Sequence, residues 1–106
     1  MDKFLCMSIT NRLKEKGFTF DLPVRYDGKG TYYHSIQPRI SQVLDWLRTE
    51  KNIFIVVFID DDTDNPVTYE IYKGTECVMY EHKYYSLSEW NHAEIDAIVH
   101  VLDKLL

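Results

Sequence analysis

The sequence predicts an α+β fold, in which an antiparallel three- to four-stranded sheet packs with two to three helices as a two-layer sandwich. Seven consecutive apolar residues at 53–59 are all β-branched or aromatic, which is typical of a strand covered on both faces. Two alternating segments follow after short turns, and segments with helical periodicity flank the whole region. Consecutive strands joined by short turns pair antiparallel, and helices then pack on the sheet.

The composition is that of one globular domain, and we predict a single α+β domain over residues 1–106. Apolar residues make up 45% of the chain and charged residues 27%. The formal net charge of -5 argues against a general nucleic-acid-binding protein, because that affinity comes from Lys and Arg. No apolar segment reaches the roughly 20 residues that span a bilayer. Cys6 and Cys77 form neither a disulfide framework nor a zinc motif, so we expect a cytoplasmic protein with reduced, mostly buried thiols.

The N-terminal segment is predicted to hold a helix over residues 2–16 and a short strand over residues 18–22. Apolar residues at four-residue spacing predict the helix: Leu5, Ile9 and Leu13. Gly17 is placed to end it in a left-handed cap. Phe18, Phe20 and Leu22 alternate with polar residues, which predicts the strand.

The middle of the chain is predicted to form a turn region and then a second helix. The Asp-Gly pair at 27–28 favours a tight hairpin between residues 24–26 and 31–33, and an irregular loop is an equal alternative. Ser35 followed by Pro38 predicts a helix start, since proline is tolerated in the first turn. Asn52 is expected to end this helix directly before the apolar strand.

The C-terminal half is predicted to form a hairpin and a long helix. Residues 67–73 and 76–83 alternate around a turn at 74–75, which places one set of side chains on the core face: Val67, Tyr69, Ile71, Val78 and Tyr80. Ser86 and Glu89 fit a capping box at the start of the last helix.

Three segments carry a resemblance to a known group of proteins. They are Asp45-Trp46-Leu47-Arg48 through Lys51-Asn52-Ile53, then Tyr69-Glu70-Ile71-Tyr72, then Tyr84-Tyr85-Ser86 before the long helix. This pattern resembles small uncharacterised proteins of Bacteroides-type bacteria, their phages and their mobile elements, over the C-terminal two thirds of the chain. Because that group has no assigned activity, the resemblance implies a mobile-element setting and transfers no site residue.

An acidic turn follows the apolar strand. Asp60, Asp62 and Asp64 alternate as the opening of a calcium-binding loop does. The match then fails, because Asn65 stands at the glycine position and Ile71 at the position of the bidentate glutamate. We interpret the segment as a solvated turn, with weak divalent-cation binding as the alternative.

Glu81-His82-Lys83 matches the E-x-K half of the PD-(D/E)xK nucleases. In those enzymes carboxylates hold a divalent metal that activates water, and the lysine stabilises developing charge. In a regular hairpin Thr68 lies opposite Glu81, so Glu70, Glu81 and Lys83 share a face. No aspartate begins the second strand, and the same face resembles a solvated hairpin surface. A metal-dependent nuclease is therefore the alternative hypothesis.

His92, Asp96 and His100 lie at four-residue spacing on the last helix. The two histidines stand about 12 Å apart by helix rise and cannot share one metal ion. We interpret this as a solvated helical face with i,i+4 pairing.

The chain is rich in tyrosine, a residue that is enriched at protein interfaces. Each tyrosine taken singly is more typical of core capping, and the candidates for an interaction surface are Tyr32, Tyr33, Tyr72 and Tyr84. The favoured hypothesis is a small non-enzymatic interaction protein, without a cofactor, that binds a protein partner through an acidic, tyrosine-rich surface. If the helices stack on one face of the sheet only, its other face must meet a second subunit, which predicts a homodimer.

Overall fold

A computed structural model of the chain describes residues 3–20, 24–26, 28–30, 32–34, 37–60, 64–80 and 83–106, with the backbone alone at 24–26, 32–34 and 80. The α-helices within these residues are α1 (Met7–Glu15), α2 (Ile40–Lys51) and α3 (Trp90–Lys104), and a 3-10 turn (Leu87–Glu89) leads into α3. The strands are β1 (Val24–Tyr26), β2 (Tyr32–His34), β3 (Ile53–Ile59), β4 (Val67–Lys73) and β5 (Glu76–Tyr80). The α+β fold predicted from the sequence is confirmed.

The strands form two antiparallel sheets. The main sheet has the order β3-β4-β5, and the predicted turn at Gly74 joins β4 to β5. β1 and β2 form a separate antiparallel pair in which Tyr26 lies opposite Tyr32. The two strands of the hairpin alternative therefore pair, but five residues separate them instead of the two of a tight turn.

α2 and α3 pack on one face of the main sheet, α1 packs on α3, and all three helices bury apolar side chains in one core. Ile53 and Ile71 lie in the core on this face, and Ile55 and Val57 pack against it. The helices contribute a larger set of core residues: Leu13 from α1, Ile40, Val43 and Leu47 from α2, and Ala93, Ala97, Ile98, Val101 and Leu102 from α3. The sandwich therefore has a helical layer on one side of the sheet.

β5 contains a β-bulge that the sequence pattern does not reveal. Tyr72 lies opposite Cys77, whereas Ile71 lies opposite Met79, so Val78 is the extra residue. An extra residue moves every later side chain to the other face of the sheet. The predicted core-face position of Val78 is wrong, and this side chain is 38% exposed.

The bulge also changes the pairing at the end of the hairpin. Tyr80 pairs with Glu70, and Met79 packs against the core. The sequence predicts Met79 on the face of Glu70, and this placement is wrong because the single-residue shift reverses the alternation. The predicted position of the Tyr80 side chain lies outside the described part of the structure.

Residues 3–5 pair antiparallel with residues 38–40 at the start of α2, instead of forming a first helical turn. The Leu5 amide donates to the Pro38 carbonyl (2.9 Å), and the Ile40 amide donates to the Lys3 carbonyl (2.8 Å). α1 therefore begins at Met7 rather than at residue 2. α2 begins at Ile40, and Ser35, the predicted start, lies outside the described residues.

The strand predicted over 18–22 is irregular over its described residues, 18–20. Phe18 and Phe20 stack with ring centroids 5.2 Å apart, and Trp46 meets Phe18 edge-on at 5.2 Å. Their alternation thus reflects aromatic packing rather than strand pairing. Gly17 does end α1 at a positive φ of 91°, and the Phe18 amide donates to the Leu13 carbonyl across this cap (3.1 Å).

The predicted capping box forms before α3. The Glu89 carboxylate accepts hydrogen bonds from the Ser86 amide (3.1 Å) and the Ser86 hydroxyl (2.9 Å). These bonds stabilise the charged carboxylate, so the Ser86 amide and then its hydroxyl lower the pKa of Glu89. The cap fixes the chain direction between the end of the sheet and α3.

Candidate interaction surface

The face of the main sheet that points away from the helices carries an apolar row. Phe54, Val56 and Phe58 alternate along β3 with the side chains that face the core. Val56 is 43% exposed, Phe54 and Phe58 are half-buried, and none of the three belongs to the core formed by the described residues. The prediction that this strand is covered on both faces is therefore wrong for the described chain.

The apolar row continues into polar residues on the neighbouring strands. Glu70 lies opposite Val56, and Tyr72 lies opposite Phe54 and Cys77. We call this surface the open face and define it by its residues: Phe54, Val56, Phe58, Asp60, Glu70, Tyr72, Cys77 and Tyr84. Thr68 lies opposite Phe58 but is buried, and it is not part of this surface. Cys77 and Cys6 are exposed free thiols, so the expectation of mostly buried thiols is wrong.

Two tyrosine–carboxylate pairs lie on the open face, one toward each end of the apolar row. The Tyr72 hydroxyl donates to the Glu70 carboxylate. That hydrogen bond, followed by burial and the negative charge of Glu70, raises the pKa of Tyr72 to about 12. The Tyr84 hydroxyl donates to Asp60 Oδ2 at 2.8 Å. The pairs hold both phenol rings beside carboxylates that retain free lone pairs for further donors.

The structure brings some of the predicted site residues together and separates others. Tyr72 and Tyr84 both lie on the open face. Tyr32 and Tyr33 lie in β2, in the separate two-stranded sheet, and their side chains are outside the described part of the structure. The interaction-surface candidates therefore fall on two different sheets.

The acidic turn after β3 is only partly described. The Asp60 carboxylate accepts the Tyr84 hydroxyl, and the Asp60 amide donates to the Pro66 carbonyl (2.8 Å). Asp64 is exposed, and Asp62 lies outside the described residues. No group of three or more His, Cys, Asp or Glu among the described residues could hold a metal ion. Asp60 thus contributes to the open face, where its carboxylate holds the Tyr84 hydroxyl.

The residues of the nuclease hypothesis point in different directions where they are described. The Lys83 ammonium lies 3.7 Å from Asp96 Oδ2 and 5.0 Å from the centre of the Tyr85 ring, on the side of α3. Glu70 is bonded to Tyr72 on the open face. Glu81 lies outside the described residues, so the nuclease hypothesis stays a prediction.

A polar cluster around Asp96 was not found by sequence reasoning. Tyr85 is only 2% exposed, and its hydroxyl donates to Asp96 Oδ2 at 2.7 Å. His92 Nε2 lies 3.7 Å from the same carboxylate, which agrees with the i,i+4 pairing expected on this helix. Tyr85 also pairs with Val67 through two backbone hydrogen bonds, so the cluster anchors α3 to the first residue of β4. The cluster thus has a structural role.

No family model, curated protein or solved structure matches the chain. Among the described helices, none combines the length and the apolar character needed to cross a membrane. Fold and site together define a class, a small α+β domain with one face of its sheet covered by helices and the other face open.

Proposed function

We propose that this protein is a small non-enzymatic interaction protein that binds a protein partner through the open face. The uncovered apolar row of Phe54, Val56 and Phe58 is the observation that carries the proposal. A contiguous apolar surface bordered by polar groups is typical of a site where another protein docks. Tyrosine side chains at its border add apolar area and hydrogen-bonding capacity.

The charge of the open face supports a partner segment that combines apolar side chains with lysine or arginine. Glu70 and Asp60 are the carboxylates of this surface, and each lies beside a phenol ring. A cation can pair with such a carboxylate and also contact the ring face. The net charge of -5 favours a basic protein segment over a nucleic acid, whose phosphates it would repel.

The proposed setting is the bacterial cytoplasm, as an accessory or counter-defence factor of a mobile element. The resemblance to small mobile-element proteins supports this setting. The exposed free thiols of Cys6 and Cys77 suit a reducing compartment, where such thiols stay unpaired.

A charge-reversal pair of baits tests the proposal. The wild-type protein, a Glu70→Arg variant and a Glu50→Arg variant are immobilised, and proteins captured from a host lysate are identified by mass spectrometry. Glu50 is exposed near the end of α2 and is not part of the open face. Both variants replace a glutamate by an arginine, so they change the net charge equally. Folding of each bait is checked by circular dichroism.

The proposal predicts a protein that the wild type and Glu50→Arg retain and Glu70→Arg loses. The purified partner then binds directly, and Glu70→Arg weakens that binding about tenfold or more because a charge at the interface is reversed. If no captured protein distinguishes the two variants, the open face is not the binding surface and the proposal is wrong.

A further inference from the structure

The outer edge of β3 has no strand partner among the described residues, and the β3–β4 ladder fixes which backbone groups face outward. The Asp60 amide donates to the Pro66 carbonyl (2.8 Å), and the Gly74 amide donates to the Asn52 carbonyl (2.9 Å). These bonds mark hydrogen-bonded pairs at both ends of the ladder, and such pairs alternate along antiparallel strands. The backbone N–H and C=O groups of the even-numbered residues of β3 therefore bond to β4. The backbone groups of the odd-numbered residues point outward: Ile53, Ile55, Val57 and Ile59.

This edge lacks the usual protection against another strand. Natural edges carry lysine, proline or a bulge, whereas residues 53–59 contain no charge and no proline and pair with β4 without a register shift. The exposed fraction reaches 61% at Ile59. A groove of about 150 Å³ runs between α2 and the edge, lined by Leu44, Arg48, Phe54, Ile55 and Val56. The edge thus offers both unpaired backbone groups and room beside them.

We propose that the occupant of this edge is β3 of a second copy of the chain, paired antiparallel about a two-fold axis at Val56. In this register Ile53 lies opposite Ile59 of the second copy, and Ile55 lies opposite its Val57. Every outward-facing amide and carbonyl of both strands then finds a partner, which gives about eight hydrogen bonds. The two three-stranded sheets become one continuous sheet.

The side chains and charges of β3 are self-complementary in this register. Phe54 lies opposite Phe58 of the second copy on the open face, and Val56 lies opposite Val56, so aromatic and β-branched pairs meet throughout. The start of the strand follows the last turn of α2, in which Arg48 and Lys51 outnumber Glu50, and its end runs into Asp60. Antiparallel pairing brings the basic end of each copy to the acidic end of the other, which is why we favour a second copy over an unrelated strand.

Edge pairing differs from the stacking of two open faces and goes beyond the proposed function. It leaves the open face uncovered and continues it across both copies, so a partner can still dock there. It rests on the backbone ladder and the strand sequence, which do not depend on whether a partner binds. Failure of one proposal therefore leaves the other standing.

Two measurements on the purified full-length chain test the pairing. Light scattering coupled to gel filtration gives the mass of the wild type, Val56→Lys and Val78→Lys at tens of micromolar. Val56 and Val78 are similarly exposed, at 43% and 38%, but Val78 lies on the opposite edge strand. Disulfide formation is then followed for Val56→Cys and Val78→Cys, each in a background with Cys6→Ser and Cys77→Ser.

The proposal predicts a dimeric wild type, a dimeric Val78→Lys and a monomeric Val56→Lys, since two ammonium groups would meet at the two-fold axis. An equimolar mixture of Val56→Lys and Val56→Glu regains the dimer. Val56→Cys forms an intermolecular disulfide and Val78→Cys does not, because opposite Cα atoms at such a pair lie about 4.5 Å apart. A monomeric wild type overturns the proposal. So does a dimer in which Val56→Cys fails to cross-link, since stacked sheets lie about 10 Å apart.

Discussion

At the scale of single residues, Tyr72 has the clearest electrostatic environment on the open face. Its hydroxyl donates to Glu70, and this bond is the main reason that its pKa rises from 10 to about 12. The folded-state pKa lies above the unfolded value, so the phenol contributes stability that is complete below pH 10. That contribution is lost as the pH rises through about 12.

We predict that Glu70→Gln lowers the pKa of Tyr72 toward the ordinary value of a phenol, because it replaces the charged acceptor of the Tyr72 hydrogen bond with a weaker, neutral one. Ultraviolet titration of tyrosinate absorbance measures this shift, and Tyr72→Phe identifies which part of the titration belongs to Tyr72. Glu50→Gln, on an exposed glutamate of α2, serves as the control and should leave the profile unchanged. An unchanged profile in Glu70→Gln would contradict the assigned cause.

Part of the candidate site was predictable at this scale. Tyr72 and Tyr84 were singled out because tyrosine is enriched at interfaces, and both lie on the open face. Their carboxylate partners were not predictable in this role, since the pairing of Tyr84 with Asp60 depends on contacts between residues distant in sequence. Val56 was missed because an apolar strand gives the same sequence pattern whether one face or both faces are covered.

At the scale of elements, Asn52 sets the angle between α2 and β3. It adopts a left-handed conformation with φ 55°, and its amide donates to the Leu47 carbonyl. Asparagine tolerates this conformation better than other residues with a side chain, whereas a β-branched residue is strained there. The sequence position of Asn52, between a helical pattern and an apolar strand, was enough to predict the helix end.

We predict that Asn52→Val lowers the free energy of unfolding by about 1–2 kcal/mol, the cost of forcing such a side chain into the left-handed region. Asn52→Gly is the matched control, and it should change stability by only a few tenths of a kcal/mol because glycine adopts this conformation freely. Chemical denaturation of both variants measures the difference. Equal destabilisation by the two substitutions would show that backbone strain is not the reason.

The long periodic elements could be predicted from the sequence, and the local irregularities could not. The 53–59 run, the hairpin turn and the capping box at Ser86 all follow from periodicity or turn chemistry. The bulge at Val78 leaves no trace in an alternating segment, because it depends on how β5 fits against β4. The alternation at 18–20 was misleading, since Phe18 and Phe20 pack on each other and against Trp46.

At the scale of the whole molecule, the described structure is asymmetric about its main sheet. The helices share one core on one face, and this core takes up the side chains of β3 and β4 that point toward it. Among the described residues, nothing covers the apolar row of the open face or pairs with the outer edge of β3. The two proposals assign different occupants to these surfaces, a partner with apolar and basic side chains to the face and a second copy to the edge.

Side-chain footprinting of the complex shows whether a protein partner binds the open face. Hydroxyl-radical oxidation is measured by mass spectrometry for the protein alone and with its captured partner. We predict protection of Phe54, Phe58 and Tyr72, with unchanged oxidation of Leu87, an apolar side chain that is 60% exposed and lies off the sheet. Protection of Leu87 with unchanged oxidation of Phe54, Phe58 and Tyr72 would contradict the account.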